Sequence, residues 1–287
     1  MTVDNDMVNA MTVDVEDYFQ VQALANRYER SNWDRQECRV ERNVCRVLEL
    51  FGAAGCRATF FTLGWVARRY GALVRSIAAA GHEVASHGLA HVRADAQIAV
   101  EFRQDVRESK KIIEDIVQVP VKGYRAASFS IGPQNTWAFE VLAEEGYAYS
   151  SSVYPIRHDI YGAPHAPRFA HRPKHGSDFI EVPISTVRIL GRNFPCGGGG
   201  YFRLLPYPVS RWQIRQVNTR DRQPSIFYFH PWEIDPEQPR PAGLSLRTRV
   251  RHYTNLDRME RRLVRLLNDF RWDRLDSVLA VGRPNAS

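Results

Sequence analysis

Ala58-Thr59-Phe60-Phe61-Thr62-Leu63 is the run whose reading decides the fold class. Its threonine and phenylalanine side chains suit a pleated surface. The stretch from Trp65 to Ala80 then reads as helix and Glu83-Val84-Ala85-Ser86 as the next strand. Two short strands joined through a helix form a parallel pair. The alternation continues outward from this unit. Upstream, Val8 to Val15 reads as strand and Arg42 to Ala54 as helix. Downstream come a helix from Ala94 to Val117, a strand from Val121 to Arg125, a helix from Asn135 to Glu145 closed by Gly146, and a strand from Tyr147 to Ser150. The pattern predicts an α/β fold with mainly parallel strands. Between Tyr154 and Gly176, proline, glycine and histidine predict a long loop of the kind that forms lids or binding walls. Strands resume at Phe179 to Val182 and Ile226 to Phe229, with a helix from Ser210 to Val217 between them. His252 to Phe270 reads as one amphipathic helix, with Leu256, Met259, Leu263, Leu266 and Leu267 at helical spacing.

The 287 residues are 44% apolar and 25% charged, enough for a full hydrophobic core, so disordered and collagen-like classes are excluded. No run reaches the ~18 apolar residues of a membrane-spanning helix. The acidic start, MTVDNDMVNAMTVDVED, lacks the features of a signal peptide, so a cytoplasmic location is expected. Four cysteines without a CxxC pair predict reduced, buried thiols. The net charge of +7 is concentrated late, at Arg247, Arg249, Arg251, Arg258, Arg261, Arg262, Arg265, Arg271 and Arg274. Asp257, Glu260, Asp269 and Asp273 interleave with these arginines as helix-surface pairs do. A solvated helix face is the first reading, peripheral contact with an anionic polymer or membrane surface the second, and nucleic acid is not an expected partner.

Four strand ends carry groups with chemistry. Thr12-Val13-Asp14-Val15-Glu16-Asp17 gathers three acids, and strand alternation puts Asp14 and Glu16 on one face. Carboxylates this close raise one another's pKa unless a cation or an arginine compensates. Ser86-His87-Gly88-Leu89-Ala90-His91 supplies two imidazoles, which with a carboxylate make the open donor set of catalytic zinc sites. His82, one strand length earlier, reads as a core residue or as support for a ligand. Gly123-Tyr124-Arg125-Ala126-Ala127-Ser128-Phe129 offers an arginine able to hold a carboxylate. Phe227-Tyr228-Phe229-His230-Pro231-Trp232-Glu233 ends an aromatic strand in a histidine, either packed among rings or placed as a general acid. Each alone also reads as a polar strand end in solvent. Barrel enzymes assemble their sites at the C-terminal ends of the strands, which favours one shared site.

TVDVED, ATFF, HEVASHGLAH, GYRAASFS and FYFHPWE, in that order and spacing from Val13 to His230, resemble the polysaccharide deacetylases of carbohydrate esterase family 4, the NodB-homology fold. SSVYPIRHDIYG, CGGGGYFRLLPY and HPWEIDPEQPR further resemble the branch associated with exopolysaccharide and exosortase loci. The resemblance implies a distorted (β/α) barrel over residues 1–235, with loop insertions at about 151–205, and a helical extension over 236–287 packed on it. It implies removal of N-acetyl groups from amino sugars of a polysaccharide or its lipid-linked precursor, with a divalent metal, zinc in the first instance. Asp14 would be the general base positioned by Arg125, and His230 the general acid. Glu16, His87 and His91 would hold the metal, and a backbone N–H near Ser128 would face the oxyanion. Many members have two adjacent aspartates in the first motif, and Val15 occupies the second place here, so Asp17 stands as a rival to Glu16. Ala127 replaces the family's usual proline, and His158 and Asp159 are the positions nearest in kind to its aspartate-tryptophan motif.

Tyr201 and Trp232 are expected to bind substrate by stacking on sugar rings, and the glycines at 197–200 fit no phosphate loop and read as a turn. Two other readings remain at this point. One is allantoinase-like opening of a cyclic amide or imide on the same fold. The other is saccharide binding without turnover, whose mark would be a missing member of the set Asp14, Arg125, His87, His91 and His230.

Overall fold

The structure is a computed structural model and describes residues 7–159 and 161–280. In chain order its first half comprises β1 (Val8–Val15), α1 (Val40–Ala54), β2 (Thr59–Thr62), α2 (Gly64–Arg69), α3 (Gly71–Ala79), β3 (Glu83–Ser86), α4 (Ala99–Val117), β4 (Gly123–Tyr124), α5 (Trp137–Glu144) and β5 (Tyr149–Ser150). Then follow β6 (Ile180–Glu181), β7 (Thr186–Ile189), β8 (Arg192–Pro195), α6 (Gly199–Leu204), α7 (Tyr207–Thr219), β9 (Ile226–Phe229), α8 (Leu246–Tyr253), α9 (Leu256–Asp269), β10 (Arg271–Asp273) and α10 (Leu275–Val278). The main sheet runs β10-β1-β2-β3-β4-β5-β6, with β9 also on β1, and all its pairings are parallel. β1 has three partners, β10 lying opposite Val8–Ala10, β9 opposite Ala10–Val13 and β2 opposite Thr12–Val15. Backbone outside the named strands bridges the far side, where Ser185 N donates to Ile226 O and Tyr228 N to Gly197 O. The sheet thereby curls into a distorted (β/α) barrel.

Period-two alternation places the site strand. Met11, Val13 and Val15 face the helical layer and pack with Val44, Phe60 and Phe229 in the larger core cluster. Ala10 faces inward, in the cluster of Phe61, Ala85, Tyr149 and Tyr228. Thr12 and Asp14 share that inward face, and Thr12 Oγ1 donates to Phe227 O across the barrel wall.

Several elements differ from expectation. The predicted helix from Trp65 to Ala80 is two, because Tyr70 leaves helical geometry at φ −122°, ψ 47°. The predicted helix from His252 to Phe270 is broken at Thr254 and Asn255, and Asn255 takes a left-handed φ of 56°. The β7–β8 hairpin, α6 and β10 were not anticipated. Residues beyond 235 contribute β10 to the main sheet besides their helices. The glycine run is not a loose turn. A Cβ on Gly198 would lie 2.1 Å from Tyr228 O and one on Gly199 2.4 Å from Tyr228 Oη, so the run is bare because it packs directly on β9. Of the cysteines, all free, Cys56 and Cys196 are buried, but Cys38 is partly exposed and Cys45 exposed, since Cys45 sits on the outer face of α1. Among the late arginines, Arg262 is not a solvated ornament: it donates to Phe202 O, Arg203 O and Leu205 O at the end of α6.

Candidate active site

The residues predicted at four strand ends converge on a cavity of about 250 Å³ lined by Asp14, Glu16, His87, His91, Ser128 and His230, with further walls from the loops. Asp14 is buried and accepts from Arg125 Nη1 at 2.6 Å. Arg125 is itself fully buried: Nη1 also donates to Thr12 Oγ1, while Nε and Nη2 donate to Ser151 O and Ser151 Oγ. Its guanidinium carbon stands 4.1 Å from the centroid of the Phe61 ring. A guanidinium held on several sides has no freedom to follow the carboxylate, so it fixes where Asp14 points.

Glu16, His87 and His91 each present one ligand atom, and these atoms lie within 4.8 Å of one another. His87 Nδ1 is 2.8 Å from Arg125 O, an arrangement in which Nδ1–H donates and the Nε2 lone pair faces the cavity. Burial, the largest influence, pushes His87 down to about 4, so it is a neutral imidazole near pH 7. Burial alone would raise Glu16, but His91, His230 and His87 outweigh it and bring it to about 2. Glu16 Oε2 sits 2.9 Å from His91 Nε2, yet no hydrogen bond satisfies it. Two facing lone-pair atoms with an orphaned buried oxygen are what a shared cation would relieve, and two imidazoles plus a carboxylate suit a divalent transition metal with an open position. The residues present therefore fit a divalent metal.

The histidine loop is pinned. Gly88, at φ 77°, lets the chain pass where a Cβ would lie 2.9 Å from Asp105 Oδ1. Asp105 accepts from Leu89 N, and Gly88 O receives Gly64 N and Ser109 Oγ. Asp17 points elsewhere. Its carboxylate accepts from Tyr18 N, Arg39 N and Val40 N, so it caps the start of α1 and lies outside the three-donor cluster. Burial pushes Asp17 up to about 6 against those three donors.

His230 Nε2 faces the cluster, 3.9 Å from Asp14 Oδ2 and 3.4 Å from Glu16 Oε1. Its Nδ1 lies 2.8 Å from Glu233 Oε1, and Glu233 Oε2 accepts from Arg203 Nε at 2.6 Å. Arg203 Nη1 donates to His252 O and Thr254 O and Nη2 to Arg251 O, so the end of α8 is held by the same guanidinium. Burial would depress His230, but the carboxylates of Glu16, Glu233 and Asp14 push it up to about 9. Glu233 falls to about 2, with Arg203 and His230 overcoming its burial.

Trp232 also lines the cavity, buried and stacked on His230 (centroids 5.0 Å, 18°) and His252 (4.3 Å, 14°), with Nε1 donating to Glu16 Oε1 at 3.4 Å, so its ring faces are taken up by imidazoles. Tyr201 does line the cavity, beside Tyr161 and Phe129. Ser128 and Phe129 follow one another with left-handed φ values of 54° and 48°, an unusual turn for non-glycine residues. His158 stacks on Tyr161 at the cavity wall, while Asp159 is taken up by Arg247 and Arg251. His82 is a core residue whose Nδ1 accepts from Ala58 N. Glu233 and Arg203 were missed in the sequence. The only signal for Glu233 was its position three residues after His230, across a proline-initiated turn.

A family model described as polysaccharide deacetylase matches residues 32–150, and one described as a domain of unknown function (DUF3473) matches residues 151–280. A peptidoglycan-N-acetylglucosamine deacetylase of Bacillus cereus is 29% identical over 102 residues, 36% of this chain and 46% of that protein, so the match spans about half the length of this curated relative. Among solved structures, a Mycobacterium smegmatis protein assigned as a polysaccharide deacetylase aligns over 98% of this chain and 91% of its own, with TM-score 0.61 and 19% identity. An allantoinase aligns over 98% and 91%, with TM-score 0.60 and 12% identity. A mutant, with restored activity, of a family 4 pseudoenzyme aligns over 96% and 68%, with TM-score 0.51 and 13% identity. These likenesses establish the fold. No described helix is long and apolar enough to cross a membrane. Residues 32–150, which contribute His87, His91 and Ser128 to the cavity and Arg125 to the support of Asp14, form a polysaccharide deacetylase domain of the carbohydrate esterase family 4 type.

Proposed function

We propose that the protein is a metal-dependent hydrolase that removes N-acetyl groups from amino sugars of a polysaccharide or its lipid-linked precursor, in exopolysaccharide biosynthesis. One observation carries the reading: Asp14 fixed by Arg125, and His230 fixed by Glu233, flank a single three-donor cluster inside one cavity. Glu16, His87 and His91 would hold a divalent cation, zinc being the first choice for this donor set, which would supply Lewis-acid polarisation of the acetyl carbonyl and lower the pKa of water toward about 7. Asp14 accepts the proton of the attacking water, its carboxylate aimed by Arg125 Nη1. His230 carries its proton on Nε2 toward the departing amine, while Glu233 retains Nδ1–H and the Trp232 face keeps the ring plane. Each such acid or base role is typically worth ~10²- to 10⁴-fold. The turn at Ser128 directs a backbone N–H to the developing oxyanion, a donor worth ~10²- to 10³-fold. Tyr201 supplies a ring face for the sugar.

The test is metal analysis of the purified protein together with acetate release from N-acetylglucosamine oligomers. Stoichiometric divalent metal and acetate release abolished by chelation are expected. Ring opening of allantoin without acetate release would reassign the substrate, and absence of both metal and turnover would overturn the proposal.

A further inference from the structure

The cavity does not end at the reacting groups. It continues past Tyr161 and Tyr201 to an outer lip formed by His158 and Arg251. A second depression opens on this lip, sharing His158, Tyr201 and Arg251 with the cavity and adding Arg157, Asp159 and Arg247. Three arginines therefore line one depression, and two of them bind its single carboxylate. Arg247 Nη1 and Arg251 Nη1 donate to the same oxygen, Asp159 Oδ2, at 3.1 and 3.0 Å, and the other oxygen lies 3.3 Å from His158 Nδ1. No carboxylate among the described residues pairs with Arg157. A guanidinium offers five N–H donors in a planar fork, so a single bond to Asp159 leaves most of each fork available.

The lip is also fixed relative to the chemistry. Arg251 lies in the last turn of α8, where the carbonyls of Arg251 and His252, and that of Thr254 just past the helix, are bound by the buried Arg203. Arg203 in turn bonds Glu233, the partner of His230. A sugar lying along Tyr201 would carry any anionic substituent directly to these forks, because Tyr201 belongs to both depressions.

We propose that Arg157, Arg247 and Arg251 form a subsite for an anionic group, a carboxylate or a phosphate, on the saccharide whose N-acetyl group is removed. This rests on the deacetylase reading and narrows its substrate class to acidic saccharides. Guanidinium forks match both anions bidentately, and the source is either a uronate in the chain or a phosphate at its reducing end.

The experiment compares the full-length wild type with the Arg157→Ala/Arg247→Ala variant, which leaves Arg251 and the cavity intact. Three probes are used: neutral tetra-N-acetylchitotetraose, a hyaluronan tetrasaccharide carrying glucuronate, and N-acetylglucosamine 1-phosphate. Calorimetric Kd and acetate release are both read. The wild type should bind one anionic probe about tenfold tighter than the neutral one at low salt, with the advantage shrinking in 0.5 M salt as screening requires. The double variant should lose that advantage with chitotetraose unchanged. Preference for hyaluronan identifies a uronate, and preference for the phosphate identifies a phosphorylated terminus. Equal binding of all three probes by the wild type, or equal weakening of all three in the variant, overturns the subsite. Absence of acetate from every probe would sink the deacetylase reading, while the Kd comparison still decides the subsite.

Discussion

Glu233→Gln isolates the support of the proposed acid. The carboxylate serves two sides: Oε1 accepts from His230 N at 3.1 Å and lies 2.8 Å from His230 Nδ1, and Oε2 accepts from Arg203 Nε at 2.6 Å. A glutamine has one carbonyl oxygen, so it can serve only one side. If the amide NH₂ turns to His230, Nδ1 becomes an acceptor and the tautomer is reversed. If it turns to Arg203, two donors oppose each other and a buried cation keeps only backbone carbonyls. Removing one partner of a buried pair costs roughly 3–5 kcal/mol. At ~2–4 °C per kcal/mol for a chain of this size, Tm should fall by roughly 10 °C, so activity is measured well below the transition. His230 loses one of the carboxylates that hold it near 9, and kcat on N-acetylglucosamine oligomers should drop by about 10²-fold or more. A good leaving group departs without a proton, so kcat on 4-nitrophenyl acetate should change by less than about threefold. The readout is the ratio of the two losses, which a general loosening of the fold would leave near unity. Equal losses on both substrates, or none on either, would refute the reasoning.

Asp14→Asn should retain metal and lose turnover, whereas His87→Ala should lose both; mass-spectrometric metal analysis beside acetate release checks this, and an active Asp14→Asn enzyme would unseat the assignment. Asp17→Ala removes the acceptor for three backbone N–H groups at α1 and should cost about 1–2 kcal/mol of stability with metal content unchanged, while Glu16→Gln should lower metal affinity; the reverse pattern would make Asp17 the ligand. Glu181, buried with its Oε1 on Ser152 N and Val153 N, is pushed up to about 7 by burial. Its raised folded-state value means that its contribution is present below about 4.5 and is lost as pH rises through 7, on the order of 3 kcal/mol in all. Glu181→Gln does not titrate, so its Tm should gain on the wild type between pH 4.5 and 8, and a difference that stays flat across that range would contradict the sign.

The convergence of Asp14, Glu16, His87, His91, Arg125 and His230 was legible because each sits at the end of a strand with a clear pattern, and parallel strands bring like ends together. Alternation favoured Glu16 and left Asp17 as a rival, and it is Glu16 that lies with His87 and His91 in the three-donor cluster. What failed to show was set by contacts rather than pattern. Arg203 reaches Glu233 across 30 positions, from a helix that begins in glycines and so reads as a turn. Trp232 is enclosed by His230 and by His252 from α8, and no local signal separates an enclosed indole from an exposed one. Asn255 broke a helix whose apolar period ran straight through it, because Arg203 binds the carbonyls of His252 and Thr254 and Asn255 Nδ2 donates to Arg203 O, contacts that override propensity. β10 is three residues long and finds its place only against Val8–Ala10.

That last pairing sets a constraint on biosynthesis. The strand that carries Asp14 and leads into Glu16 is translated early, yet its edge at Val8 is completed by Arg271, with Asn9 Nδ2 donating to Arg271 O. At ~5–20 residues per second, a ribosome needs roughly 15–50 s to deliver that partner. For that interval the nascent chain carries an apolar strand with an unpaired edge, a template for intermolecular pairing. Expression of residues 32–150 alone would lack both Asp14 and His230, and truncation ahead of 271 would make the open edge permanent.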